Sequence, residues 1–175
     1  MHKTLIALAG VTAMILLMPQ WERWEKDKGR SHLFRRFCAL APRLALFFYV
    51  LGNLALTLLF REPGGQKQMI LSLAEPFRKA AESGSLLELE GLLLNMLLFL
   101  PLGYLAPLAY KKIRNGQMLL TGVLFAGLVE GIQLVFGMGW FDVNDLLYNL
   151  LGVLFGLILL RVQQKEEANE KPREG

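Results

Sequence analysis

The chain has 175 residues, of which 54% are apolar and 19% are charged; soluble domains usually carry a charged fraction of roughly 25%. Its single cysteine, Cys38, excludes an internal disulfide framework, and its two histidines, His2 and His32, lie outside every apolar run. The sequence therefore predicts no metal site within a membrane, and we expect no cofactor. The net charge of +4 comes from residues that flank apolar runs, so we expect no nucleic-acid partner.

Five apolar segments approach the length of about 20 residues that a helix needs to cross a bilayer. They are residues 4–18, 44–60, 86–110, 117–136 and 145–162. The first is short and could instead be the apolar core of a signal peptide, but no A-x-A-like cleavage site follows it, so we interpret it as an uncleaved anchor. The predicted fold is an all-α, polytopic membrane bundle of about five transmembrane helices.

The basic residues predict the orientation and the domain boundaries. Most Lys and Arg residues lie in connections that would share one side of the membrane, which places the N-terminus outside and the C-terminus inside. We expect a multi-pass protein of the bacterial cytoplasmic membrane. Residues 1–43 would form an anchor with a basic cytoplasmic loop, residues 44–162 the membrane domain, and residues 163–175 a disordered polar tail.

Polar side chains interrupt the last three apolar segments. On the predicted topology all of them fall in the outer half of the membrane or at its outer surface. An ionisable side chain at the centre of a transmembrane helix costs roughly 2.5 to 3.5 kcal/mol and therefore indicates function. We predict a binding cluster formed by Asn95, Glu130, Gln133, Asp142, Asp145 and Asn149.

Glycines extend these polar stripes along the helices. Gly152 and Gly156 continue the face that carries Asp145 and Asn149, and Gly127 and Gly131 have the same spacing in the fourth segment. This spacing predicts close helix packing at both pairs.

Structural roles for the same polar residues remain open. Asn95 and Asn149 could hydrogen-bond between helices, a role worth about 1 kcal/mol. Asp145 could cap the fifth helix, and Asp142 or Asn144 could serve equally well.

Three blocks of residues together resemble the VanZ-like family of bacterial membrane proteins, which is named for a teicoplanin-resistance protein. The blocks are Asn95-x3-Phe99-x-Pro101-x-Gly103, then Glu130-x2-Gln133, then Asp142-x2-Asp145-x3-Asn149-x2-Gly152 with Gly156. The resemblance runs from about residue 44 to 161, so the first segment and its basic loop would lie outside the family core. Many members have an arginine near the position of Gly139, where this chain has none.

The resemblance implies a non-catalytic protein of the cell envelope that lowers sensitivity to teicoplanin or lipoglycopeptides, a form of antibiotic resistance. Its partners would be membrane lipids and a lipid-linked cell-wall precursor or the glycopeptide antibiotic itself. One alternative is a membrane enzyme that acts on a lipid head group through a cation held by Glu130, Asp142 and Asp145. A second is a small oligomeric transporter in which Glu130 titrates. The oligomeric state and the ligand are left open.

Overall fold

The computed structural model describes residues 31–59, 69–84, 87–138 and 141–170, together with Gly10, Ala13, Trp24 and Gly29. These ranges contain the helices α1 (His32–Leu54), α2 (Glu75–Ser83), α3 (Leu87–Ala109), α4 (Asn115–Phe136) and α5 (Val143–Glu170). A π-helical turn, Ala55–Leu59, continues α1, and two short strands are β1 (Met69–Ile70) and β2 (Phe141–Asp142). The predicted helical fold class is confirmed.

Four of these helices, α1, α3, α4 and α5, are long and apolar enough to cross a membrane. Large apolar side chains such as Phe48, Leu124 and Phe155 are exposed on their outer faces, which in a membrane are covered by lipid. The protein is thus a membrane protein with at least four candidate spans. The predicted first span, residues 4–18, lies outside the described ranges.

The ends of two helices differ from the predicted boundaries. α1 begins at His32, well before the predicted residue 44, and the side chain of Ser31 accepts a hydrogen bond from the N–H of Phe34 at 3.3 Å. α5 continues to Glu170, so residues 163–170 of the predicted tail are helical. This stretch is rich in Gln, Lys, Glu and Ala, which favour helix without any packing partner.

Side-chain contacts fix the direction of the helices. Arg43 of α1 donates to the Ala109 carbonyl at 3.2 Å, whereas Tyr49 donates to the Leu98 carbonyl at 2.6 Å, so α1 and α3 are antiparallel. α3 and α5 are parallel, because Gly152 faces Met96 and Gly156 faces Leu100. We call the end that carries β1 and β2 the strand end, and the end that carries the α3–α4 turn, residues 110–114, the turn end.

The contact between α3 and α5 is made by backbone against backbone. A methyl group added at Gly152 would overlap the Met96 carbonyl oxygen, and one at Gly156 would overlap the Leu100 carbonyl oxygen. In the opposite direction, a methyl group at Gly103 would overlap the carbonyl oxygen of Val153. The predicted close packing at Gly152 and Gly156 is confirmed, and Gly103 makes the same contact from α3.

The matching prediction for Gly127 and Gly131 of α4 is wrong. A Cβ added at either position meets nothing within 4 Å in the described part of the chain. The buried stripe of α4 instead passes through Gly122 and Ala126, and a Cβ at Gly122 would lie 2.9 Å from a methyl carbon of Val153. Val153 therefore lies between Gly103 of α3 and Gly122 of α4.

We expect Gly152→Ala to lower the thermal stability of the detergent-solubilised protein, because the added methyl forces α3 and α5 apart. Overpacking of this kind costs about 1 to 3 kcal/mol. The matched control is Gly127→Ala, which adds a methyl to open space in the same kind of helix. Equal losses of melting temperature in the two variants would contradict the backbone contact.

The predicted orientation is testable with single cysteines in a Cys38→Ser background. Lys79→Cys on α2 should react with a membrane-impermeant thiol reagent in intact cells. Lys112→Cys in the α3–α4 turn should react only after permeabilisation. The reverse pattern would place the strand end inside.

Candidate functional site

A parallel pairing of β1 with β2 builds the strand end. Met69 pairs with Phe141, and Ile70 pairs with Asp142. The pairing attaches the segment between α1 and α2 to the chain just before α5. It was not predicted from the sequence, because two residues are too few to show an alternating pattern.

Asp142 caps α5. Its Oδ1 accepts hydrogen bonds from the backbone N–H of Asn144 and from the Asn144 side-chain amide, both at 2.8 Å. The same amide donates to the Ser72 carbonyl at 2.9 Å, and Asn144 is only 1% exposed. Among the capping candidates left open above, the structure selects Asp142. Asp145 lies in the first turn of α5, where a negative charge is favourable beside the positive end of the helix dipole.

Gln133 connects α4 to the π-helical turn after α1. Its side-chain amide donates to the Thr57 carbonyl at 3.0 Å, and Gln133 is 1% exposed. The Thr57 carbonyl belongs to the π-helical turn Ala55–Leu59. The Gln133 carbonyl in turn accepts from the Met138 N–H at 2.8 Å, next to Gly137 with φ of 64°. Gln133 therefore serves helix packing and the termination of α4.

A polar network between α1 and α3 was not predicted. Tyr49 donates to the Leu98 carbonyl at 2.6 Å, and the Asn53 amide donates to the Tyr49 hydroxyl at 3.2 Å and to the same carbonyl at 3.3 Å. Thr57 donates to the Asn53 carbonyl at 2.7 Å. Pro101 lies three residues after Leu98 within α3, and the missing N–H of a proline weakens helical bonding in that turn.

The signal for this network was present in the sequence. Tyr49, Asn53 and Thr57 are spaced four residues apart and therefore share one face of a helix. That face packs against α3 rather than against lipid.

The other four predicted residues, Asn95, Glu130, Asp145 and Asn149, come from α3, α4 and α5 and all lie on the strand-end side of Val153. The rings of Phe99 and Phe125 pack with centroids 5.5 Å apart. Asn95 lies one turn from Phe99 towards the strand end. α4 runs antiparallel to α3, so moving from Phe125 towards the strand end means moving forward along α4. This direction leads to Glu130, which is 3% exposed.

α5 carries the other two residues, Asp145 and Asn149. Val153 lies opposite Gly122, and Glu130 is eight residues beyond Gly122, or about 12 Å at 1.5 Å per residue. Asp145 precedes Val153 by the same number of residues, so it lies about as far towards the strand end as Glu130 does. Asn149 lies between Asp145 and Val153. Asn149 is 2% exposed, and its side-chain oxygen has no hydrogen-bond partner in the described part of the chain.

The described residues contain no group of three or more His, Cys, Asp or Glu side chains that could hold a metal ion. Glu130, Asp142 and Asp145 thus do not form the cation site that the enzyme alternative requires, and the Oδ1 of Asp142 already binds Asn144 twice. The remaining loop residues Gly139 and Trp140 lie outside the described ranges.

Comparison with known proteins gives one match. A family model described as VanZ/LLP1 matches residues 4–164. No curated protein and no solved structure matches the chain. The family match begins at residue 4 rather than near residue 44, so the first segment and its basic loop lie within the matched region, contrary to the expectation from the sequence.

Asn144→Ala should release β1 from β2, because it removes the bond to Ser72 and one of the two bonds to Asp142. We expect faster amide hydrogen exchange at residues 69–72, with exchange in the middle of α3 unchanged. The control is Asn169→Ala, at an exposed position near the end of α5. Unchanged exchange at residues 69–72 would contradict the attachment.

Proposed function

The chain belongs to the VanZ/LLP1 family, and from that premise we propose that it is a non-catalytic protein of the bacterial cell envelope that lowers sensitivity to teicoplanin and related lipoglycopeptides. Its ligand site would be the polar cluster of the strand end, in the part that Asn95, Glu130, Asp145 and Asn149 form. The predicted orientation puts this cluster on the outer side, where those antibiotics act.

The observation that carries the proposal is the buried side-chain oxygen of Asn149. A buried acceptor without a hydrogen bond costs about 1 to 3 kcal/mol, and native proteins rarely retain one without a reason. In lipid the cost cannot be relieved by bulk water. A donor group brought by a ligand would satisfy this oxygen.

The chemistry of the cluster favours a particular class of ligand group. The carboxylates of Glu130 and Asp145 accept hydrogen bonds and favour positive charge, and the Asn149 oxygen also accepts. A hydroxyl, amide or ammonium group complements these atoms, whereas a phosphate does not. Sugars and amines of a lipoglycopeptide, or of a lipid-linked cell-wall precursor, supply such donors.

A binding role fits the residues better than catalysis does. Gln133 and Asp142 are engaged in hydrogen bonds that hold the helix ends. The described cysteine and histidine, Cys38 and His32, both lie in the first two turns of α1, which begins at the turn end. The described part of the strand end therefore holds no cysteine or histidine that could serve as a nucleophile or a base.

The test is teicoplanin susceptibility in a sensitive Gram-positive host, with membrane levels of all variants matched by immunoblot. Wild type should reduce sensitivity relative to the empty vector. Asn149→Leu and Glu130→Gln should each reverse much of that effect, since one lost hydrogen bond weakens ligand binding about fivefold.

The matched control is Glu166→Gln, the same chemical change at an exposed position of α5, and it should protect as wild type does. Protection by wild type that survives Asn149→Leu would reduce Asn149 to a packing role. A wild-type protein that gives no protection would overturn the resistance function itself.

A further inference from the structure

The turn end concentrates exposed positive charge. Lys111, Lys112 and Arg114 lie in the short connection between α3 and α4, and all are exposed. Arg43 of α1 joins them, because its Nε donates to the Ala109 carbonyl at 3.2 Å, at the start of that connection. One helix and one turn therefore bring cations to the same end of the bundle.

α5 adds two more cations at this end. Tyr104 of α3 donates to the Gln163 side-chain oxygen at 2.5 Å, which places the exposed Arg161 and Lys165 near the end of α3. The acids Glu166 and Glu167 follow Lys165 directly in α5 and lie at the same end, so they offset part of this charge.

The cations of the strand end are in a different environment. Arg78 of α2 forms salt bridges with Glu75 at 2.7 Å and with Glu82 at 2.8 Å. The hydrogen bond from Arg78 holds the pKa of the Glu75 carboxyl below its usual value, so the Glu75 carboxylate stays charged and offsets Arg78. Lys112 and Arg114, in contrast, form no salt bridge with any acid in the described ranges.

The turn also lies at the boundary of the apolar part of the bundle, which in a membrane is the level of the lipid head groups. α3 is apolar up to Ala109 and α4 begins at Asn115, so the connection emerges where the apolar part of the bundle ends. The first N–H groups of α4, a helix of 22 residues, point towards the same side and favour a negative group. Exposed apolar side chains follow within two to three turns on α4, at Leu120 and Leu124.

We propose that the turn end is a binding surface for the head group of an anionic phospholipid, held by Arg43, Lys112 and Arg114 while its acyl chains lie along the apolar helix faces. Basic groups beside transmembrane helices recognise anionic lipids in this way. The surface is separate from the strand-end cluster, and neither proposal depends on the other.

The experiment uses the full-length protein in nanodiscs of phosphatidylcholine mixed with phosphatidylglycerol. Native mass spectrometry then measures which lipid stays bound. Wild type should retain phosphatidylglycerol well above its share in the mixture, and raising the salt concentration should reduce this enrichment.

The double variant Lys112→Gln/Arg114→Gln should lose about thirtyfold in enrichment, given roughly 1 kcal/mol for each basic residue near a lipid surface. The control, Arg78→Gln/Lys79→Gln, removes one lysine and one arginine from the other end and should retain wild-type enrichment. The variant Lys112→Arg/Arg114→Lys keeps both charges and should also retain the enrichment. This variant shows whether a loss comes from the missing charge or from a disturbed fold.

Three outcomes would overturn the proposal. The first is a wild-type protein without preference for phosphatidylglycerol. The second is an equal loss in the control variant, which would indicate only a general attraction between charges. The third is full displacement by soluble glycerol phosphate at the concentration of the lipid, which would indicate a small-anion site instead.

Discussion

The backbone contact between α3 and α5 is the constraint on which the rest of the structure depends. Lipid is as apolar as leucine, so helices in a membrane gain little by burying apolar side chains against each other and rely on close packing and hydrogen bonds. Gly103, Gly152 and Gly156 let the two backbones touch. The side chain of Val153 in turn packs against Gly122 of α4. One parallel register follows, and this register places Asn95 and Asn149 within a turn of each other along the bundle.

The polar residues of the strand end divide into those whose hydrogen bonds hold the structure and those that we propose for the ligand site. Gln133 fixes α4 to the π-helical turn, and Asp142 with Asn144 fixes the start of α5 to Ser72. Hydrogen bonds of this kind are strong where no water competes. They hold the backbone that carries Glu130 and Asn149 at defined positions, which is what a pre-organised site requires.

Hydropathy and glycine spacing were sufficient to predict the long apolar helices and the close packing at Gly152 and Gly156, because both leave a periodic pattern in the sequence. They did not reveal that the packing partner is α3. The same spacing failed for Gly127 and Gly131, since it does not reveal which face of α4 is buried. The cap of α5 depended on where the helix starts to within one residue, and patterns do not resolve that. The role of Gln133 depended on a carbonyl of Thr57, 76 residues away, which no local pattern could indicate.

The two ends of the bundle differ in charge, and this links the two proposals through orientation. At the strand end the carboxylates of Glu75 and Glu82 form salt bridges with Arg78, whereas at the turn end Lys112 and Arg114 are exposed and form no salt bridge in the described ranges. The cytoplasmic leaflet of a membrane is rich in anionic lipid and attracts basic segments, and basic loops remain on that side during insertion. An inward turn end therefore gives its cations their lipid partner and at the same time presents the acceptor cluster to the outside, where lipoglycopeptides and exported precursors are found. In the reverse orientation the acceptor cluster would have no access to an extracellular ligand. A single measurement of topology therefore tests which side of the membrane each proposed site faces.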